Sequence, residues 1–176
     1  MSTTTFTNNI FQELNRWEQC MDNSTFDDLV QFTTCVKESL PLVNQLLVIT
    51  GESGSGKTTL LNDITRVVGK QNITHVPGNK LYGNPNNHKL LVCSEECGIS
   101  EAFVKKIVSR EPYEYRELYK IKTHSTPTSN IIVVVTNLKQ LSKSMLDRSI
   151  VINLCSKKHK LKNIKLDDHV SKKSKH

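Results

Sequence analysis

No apolar run in this chain approaches the roughly eighteen residues that a membrane-spanning helix needs. The N-terminal stretch MSTTTFTNNIFQELNRW has no basic segment followed by an apolar one, so no secretory signal is expected. Cysteine is sparse, and Cys20, Cys35, Cys93, Cys97 and Cys155 are odd in number with no C-x-x-C spacing. They read as thiols of a reducing compartment, not as a disulfide framework. Cys93, Cys97, Cys155 and His159 could in principle form a zinc site, although structural zinc sites usually carry tighter ligand pairs. Internal repeats are absent, and hydrophobic residues make up only 36% of the 176 positions. These features exclude a helical membrane protein and a secreted disulfide mini-protein. The length and patterning also argue against a wholly disordered chain. A soluble domain inside the cell is the expectation.

Charge is unevenly spread. The net charge is +7, yet residues 157–176 hold eight lysines and two aspartates and contribute +6 of it. The body is nearly neutral and the basicity is a tail. Such a tail reads either as a disordered, solvated end or as a non-specific contact for nucleic acid or another anionic surface.

Three segments follow from the patterning: a helical lead-in over 1–44, an α/β core over 45–156 and the basic tail over 157–176. In the lead-in, Ile10, Phe11, Leu14, Trp17 and Met21 fall at helical spacing. A second helix carries Phe26, Leu29, Val30 and Val36, with Ser24 as its expected N-cap and Asp27 three residues on. From Leu46 to Thr50 the chain is a short continuous apolar run, the pattern of a strand buried on both faces of a parallel sheet. A helix with Leu60, Leu61, Ile64, Val67 and Val68 on one face follows and stops at Gly69. Residues 77–88, rich in Gly, Pro and Asn, read as a loop. Leu90–Cys93 is the second buried strand. Ser100 caps a helix with Phe103, Val104, Ile107 and Val108, Ile131–Val135 is the third strand, and Ile150–Ile152 is the fourth. Strands alternating with helices predict a parallel sheet flanked by helices.

Between the first strand and its helix lies Gly51-Glu52-Ser53-Gly54-Ser55-Gly56-Lys57-Thr58, a match to G-x-x-x-x-G-K-T in the strand–loop–helix setting that motif requires. The glycines let successive backbone N–H groups turn inward toward phosphate oxygens, and the helix adds its positive end over Thr58 and Thr59. Lys57 is expected to reach the β- and γ-phosphates of ATP, and the Thr58 hydroxyl to ligate Mg²⁺. The bland reading is a glycine-rich turn.

Polar residues at the ends of the next strands face the same edge of such a sheet. After Leu90–Cys93 come Glu95, expected on the metal, and Glu96, expected as the base for the attacking water. A solvated acidic pair is the alternative. After Ile131–Val135 comes Thr136-Asn137, where an amide can orient that water. Later, Lys120, Lys122 and His124 alternate at period two, which on a strand places them on one face able to follow a phosphate backbone. Tyr113, Tyr115 or Tyr119 could stack on bases. A polar outer strand with tyrosines packed beneath it is the competing reading.

The order of P-loop, apolar strand with Glu-Glu, basic hairpin-like stretch and apolar strand ending in Asn resembles the superfamily 3 helicases, the AAA+ replication ATPases of small DNA viruses, and most of all parvovirus-type replication proteins. KLLVCSEE resembles the Walker B segment, TPTSNIIVVVTN resembles motif C, and REPYEYRELYKIKTH stands in the place of the hairpin that grips DNA in a ring pore. SMLDRSIVINL resembles the arginine-finger segment, which assigns that role to Arg148. The resemblance covers residues 46–154 and implies an AAA+-like P-loop fold, ATP and Mg²⁺, a homo-oligomeric ring (a hexamer) and single-stranded DNA. It also implies work at the site of viral DNA replication. The family's upstream nicking domain has no counterpart here, because no His-hydrophobic-His cluster occurs. The lead-in is short for the family's oligomerisation domain.

Two other classes stay open. GESGSGKTTLL also suits a transporter-type ATPase or a nucleotide kinase. The first lacks its downstream LSGGQ-like signature, and the second has only Arg110 and Arg116 for a lid. A nucleotide-gated nucleic-acid-binding protein without motor activity is the remaining alternative.

Overall fold

The computed structural model describes residues 10–42, 46–76, 84–95, 98, 100–115 and 123–154. Its centre is a five-stranded sheet in the order β2-β3-β6-β1-β7, every neighbouring pair parallel. The strands are β1 (Leu46–Thr50), β2 (Ile73–His75), β3 (Leu90–Ser94), β6 (Asn130–Val135) and β7 (Ser149–Asn153). The helices are α1 (Asn23–Glu38), α2 (Lys57–Val68), α3 (Glu101–Val108) and the single turn α4 (Lys143–Leu146). A separate antiparallel ribbon pairs β4 (Tyr113–Tyr115) with β5 (Thr123–Ser125).

Successive side chains of a strand point to opposite faces, and β1 shows why it had to be apolar throughout. Leu47 and Ile49 join a core with α1, α2 and the lead-in, while Leu46 and Val48 join a second core under α3 and α4. The first core also takes in Ile10, Leu14 and Trp17, so the lead-in packs directly on the sheet's helical layer. The expected α/β fold, a parallel sheet covered by helices on both faces, is the one observed.

Local details differ from the sequence expectations. The first lead-in helix is α-helical only over residues 10–14 and tightens into a 3₁₀ helix at Asn15–Cys20. Phe11 is left at the surface, its ring edge-on to Phe26 at 5.1 Å. The cap of α1 is Asp22, not Ser24: its carboxylate accepts from Thr25 N (2.9 Å) and Thr25 Oγ1 (2.7 Å). Both residues are good capping types, and Asp22 satisfies two donors at once. Strand β2 was not anticipated, because three half-exposed edge residues carry no readable period. Ser100 caps α3 and Gly69 ends α2, as expected.

Candidate functional site

Register brings three strand ends to one edge. Thr50 stands beside Val135, and Val134 beside Ser94, so the chain leaves β1, β6 and β3 side by side at their carboxyl ends. Strand β6 lies between β1 and β3, which inserts Thr136 and Asn137 between the Gly51–Thr58 loop and Glu95.

The loop is tied down at its start. Gly51 has φ 148°, and a Cβ there would stand 2.3 Å from the Leu154 carbonyl oxygen and 2.6 Å from Ser55 Oγ. Leu154 is itself fixed, since its N–H donates to Thr50 O at 2.8 Å. The loop therefore passes beneath the chain leaving β7, at a separation that only glycine permits. Ser55 N donates to Glu52 O (3.1 Å), closing the turn. Glu52, Ser53 and Gly54 are exposed, and so are Thr58 and Thr59 at the head of α2. Gly56 is the N-cap of α2 and supplies no capping side chain, which leaves the first-turn N–H groups directed at the loop. Lys57 Nζ donates back to Gly51 O (2.5 Å) and Glu52 O (2.9 Å), across the concave side.

Two observations bear on what this loop could hold. A side chain at Gly51 would fill space that the loop itself needs, and the buried Ser55 Oγ has no hydrogen-bond partner in the structure. A glycine-rich loop, the head of α2 and the Lys57 ammonium lie together here, the components from which phosphate sites are built.

Across the edge, Glu95 is held by the strand next door. Its Oε2 accepts from Thr136 N (2.9 Å) and Thr136 Oγ1 (2.6 Å), and its Oε1 accepts from Gln140 Nε2 (2.6 Å). The Thr136 hydroxyl, then Gln140 and the Thr136 amide, pull its pKa down to about 2, with the positive charge of Lys57 adding to the shift. A carboxylate this acidic stays charged at any ordinary pH, which suits holding a cation and disqualifies it as a base. A carboxylate offers about four lone-pair positions, and three are used here, which leaves one on Oε1. Among the described residues no cluster of three His, Cys, Asp or Glu side chains occurs. The groups that could hold a cation at this edge are the open lone pair of Glu95 and the exposed Thr58 hydroxyl, an oxygen set of the kind Mg²⁺ takes beside phosphates.

The depressed pKa carries a sign. The contribution of Glu95 to stability is complete above its ordinary pKa of 4.5 and disappears as pH falls through about 2. A ¹³C titration of the Glu95 carboxyl should therefore find its midpoint near 2, and Thr136→Val should move it upward. A wild-type midpoint at 4.5 would contradict the observed bonds.

Asn137, an exposed residue, accepts from Lys139 N through its Oδ1 (2.9 Å) and so caps a 3₁₀ turn at Leu138–Gln140. Glu96 lies outside the described residues. Gly98 N donates to Glu95 O (3.0 Å).

Arg148 and His124 sit at the opposite edge. Ser149 pairs with Leu46 at the start of β1, so Arg148 is separated from its own loop by the length of that strand, about 13 Å. Its guanidinium reaches Ser109 Oγ at 3.4 Å. His124 is exposed on β5 opposite Glu114, while Lys120 and Lys122 lie outside the described residues. Tyr115 is only 9% exposed and packs inward, so the base-stacking reading fails for that tyrosine. Tyr119 is likewise outside the described residues. The ribbon's base is firmly tied: Asn86 bonds Ser125, Thr126 and Thr128, and Arg110 donates to Pro127 O (2.9 Å) and Ser129 O (2.7 Å).

Sequence reasoning missed Gln140 and Asp63. Gln140 left no signal, because it meets Glu95 only through the sheet order. Asp63 did leave one, a carboxylate within the apolar stripe of Leu60, Ile64 and Val67, and it is 4% exposed.

No helix among the described residues is long and apolar enough to cross a membrane. No protein-family model matches the chain, and no curated protein does. Solved structures do. Two structures of the NrS-1 C-terminal region, both the A form without ligand, match with TM-scores of 0.52 and 0.55 at 12% and 11% identity, over 86% and 88% of this chain. The JCV helicase bound to a small acetamide compound matches with a TM-score of 0.53 at 12% identity, over 89% of this chain. The chain spans 37%, 38% and 47% of the length of those three structures. At such identity the likeness is one of fold: the chain has the mixed α/β, parallel-sheet fold of a helicase-like P-loop NTPase.

Proposed function

We propose that this chain is the ATP-hydrolysing core of a ring-forming DNA motor of the superfamily 3 type, working inside a cell where a viral genome is copied. The observation that carries the reading is the convergence at one sheet edge of the Gly51–Thr58 loop, Glu95 and Asn137. Loop amides from Gly51 to Gly56 and the Lys57 ammonium bind the β- and γ-phosphates, and Thr59 adds its exposed position at the head of α2. Thr58 and Glu95 hold Mg²⁺, which neutralises charge on the phosphate oxygens when bound. Glu96 accepts the proton of the attacking water, and the Asn137 amide orients that water. Arg148 stands too far from its own loop to serve it and acts on a neighbouring copy in the ring, where it stabilises charge developing in phosphoryl transfer. Lys120, Lys122 and His124 face single-stranded DNA in the pore. Support for the DNA motor comes from the helicase named among the structural neighbours, together with the motif order.

Phosphate release from ATP by the full chain tests this reading. Turnover should need Mg²⁺ and rise with added single-stranded DNA, and Glu96→Gln should bind ATP nearly as well as the wild type yet lose turnover by about 10² or more. Turnover indifferent to DNA would favour a different P-loop ATPase, and wild-type turnover in Glu96→Gln would remove the assigned base.

A further inference from the structure

The loop is tied at its far end as well, by a residue from outside the motif. The indole of Trp17 lies against Gly56: its Cη2 and Cζ3 are 3.3 and 3.6 Å from where a Cβ on that glycine would stand. Gly56 has φ 101°, the left-handed region that strains any side chain, and the ring lies close enough that an added Cβ would have to push it back by a few tenths of an ångström. Trp17 is only 7% exposed, and its Nε1 donates to Asp63 Oδ2 at 2.8 Å. Arg16 Nε meets the same oxygen at 2.7 Å, and Arg66 pairs with both Asp63 and Glu13. A carboxylate buried in an apolar face disfavours folding unless it is fully paired, and here its partners orient one ring.

We propose that Trp17, oriented by Asp63, is a positioning residue of the phosphate loop. The ring forms the loop's outer wall and fixes the backbone from which Lys57 and Thr58 project. Gly51 beneath Leu154 and Gly56 beneath Trp17 are then two pins, with the exposed Gly54 at the apex between them. The lead-in becomes part of the nucleotide site, because lifting residues 14–17 off α2 frees one pin. Preorganising a loop in its binding shape raises affinity by removing the ordering cost from the binding step. The proposal rests on reading residues 51–58 as a nucleotide site, but the pinning it asserts is measurable without any nucleotide.

The test is hydrogen exchange on the full chain as wild type, Trp17→Phe, Trp17→Ala and Asp63→Asn, followed by calorimetric titration with Mg²⁺ and a non-hydrolysable ATP analogue. In Trp17→Ala, amides 52–58 should exchange about tenfold faster while those of β1 and β6 keep their protection. The analogue should bind about tenfold more weakly. Trp17→Phe keeps a ring against Gly56 and should hold both changes within about threefold, which a role in overall stability alone would not predict. Asp63→Asn keeps an acceptor for the indole and should behave like Trp17→Phe. Because Trp17 is the one tryptophan in the chain, its emission should also shift on adding the analogue. Equal loop exchange in Trp17→Ala and wild type overturns the proposal. So does a rise in exchange by one common factor over loop and sheet, because the residue would then only hold the fold. If the wild type binds no analogue while loop exchange responds to Trp17 as described, the pinning stands and the nucleotide reading falls.

Discussion

Lys57→Ala should lower ATP turnover on the order of 10³-fold while leaving the fold intact. The side chain is half-buried, and among the described residues its ammonium bonds the carbonyls of Gly51 and Glu52, so its loss removes little packing. Melting should stay within a degree or two of wild type, as for substitutions worth less than about 0.5 kcal/mol. Nucleotide affinity should fall less steeply than turnover, because the loop amides and the head of α2 survive. Lys57→Arg should not restore activity, since a planar guanidinium cannot take the place of a compact ammonium inside the loop. Steady-state phosphate release beside a binding titration measures both quantities. Wild-type turnover in Lys57→Ala would remove the loop from the chemistry.

Gly51→Ala should be the most damaging single methyl group in the loop. It would put a carbon 2.3 Å from a backbone oxygen of the chain leaving β7, and although the Ser55 hydroxyl at 2.6 Å can rotate away, that carbonyl cannot. Strain and overpacking together should cost about 3 kcal/mol. For a chain of this length that lowers the melting temperature by roughly 10 °C. Nucleotide binding should be lost with it, because the relief has to come from moving the loop or β7. Gly54→Ala is the matched comparison: φ is 78° there and nothing lies within 4 Å of the added carbon. It should cost only the backbone strain, about 1 kcal/mol. Thermal melts of the two variants measure the difference, and equal melting would mean that Gly51 is not pinned.

Much of this edge was legible because its signals are local. A continuous apolar run, a glycine-rich octet and an amphipathic helix lie within some twenty residues, and the strand, loop and helix form where that pattern says. Strand ends at Ser94 and Val135 were legible for the same reason, as buried runs broken by polar residues. Sheet order was not, because β6 enters between β1 and β3 through pairings tens of residues apart that no local pattern encodes. The Glu95–Thr136–Gln140 cluster is a product of that order. Trp17 was legible as a buried position at helical spacing, but its partner Gly56 lies across the sequence and has no side chain to announce a contact. The cap at Asp22 was missed because Ser24 and Asp27 offer an equally plausible capping box, and only the folded geometry separates them.

Calorimetric titration of the wild-type chain with a non-hydrolysable ATP analogue in Mg²⁺ tests the central claim most directly. The account predicts one site per chain, with a dissociation constant between about 1 μM and 1 mM, the range in which enzymes of this kind work. The same titration on Lys57→Ala should show clearly weaker binding. A folded wild-type chain that binds nothing at millimolar analogue, or that binds equally well without Lys57, would contradict it.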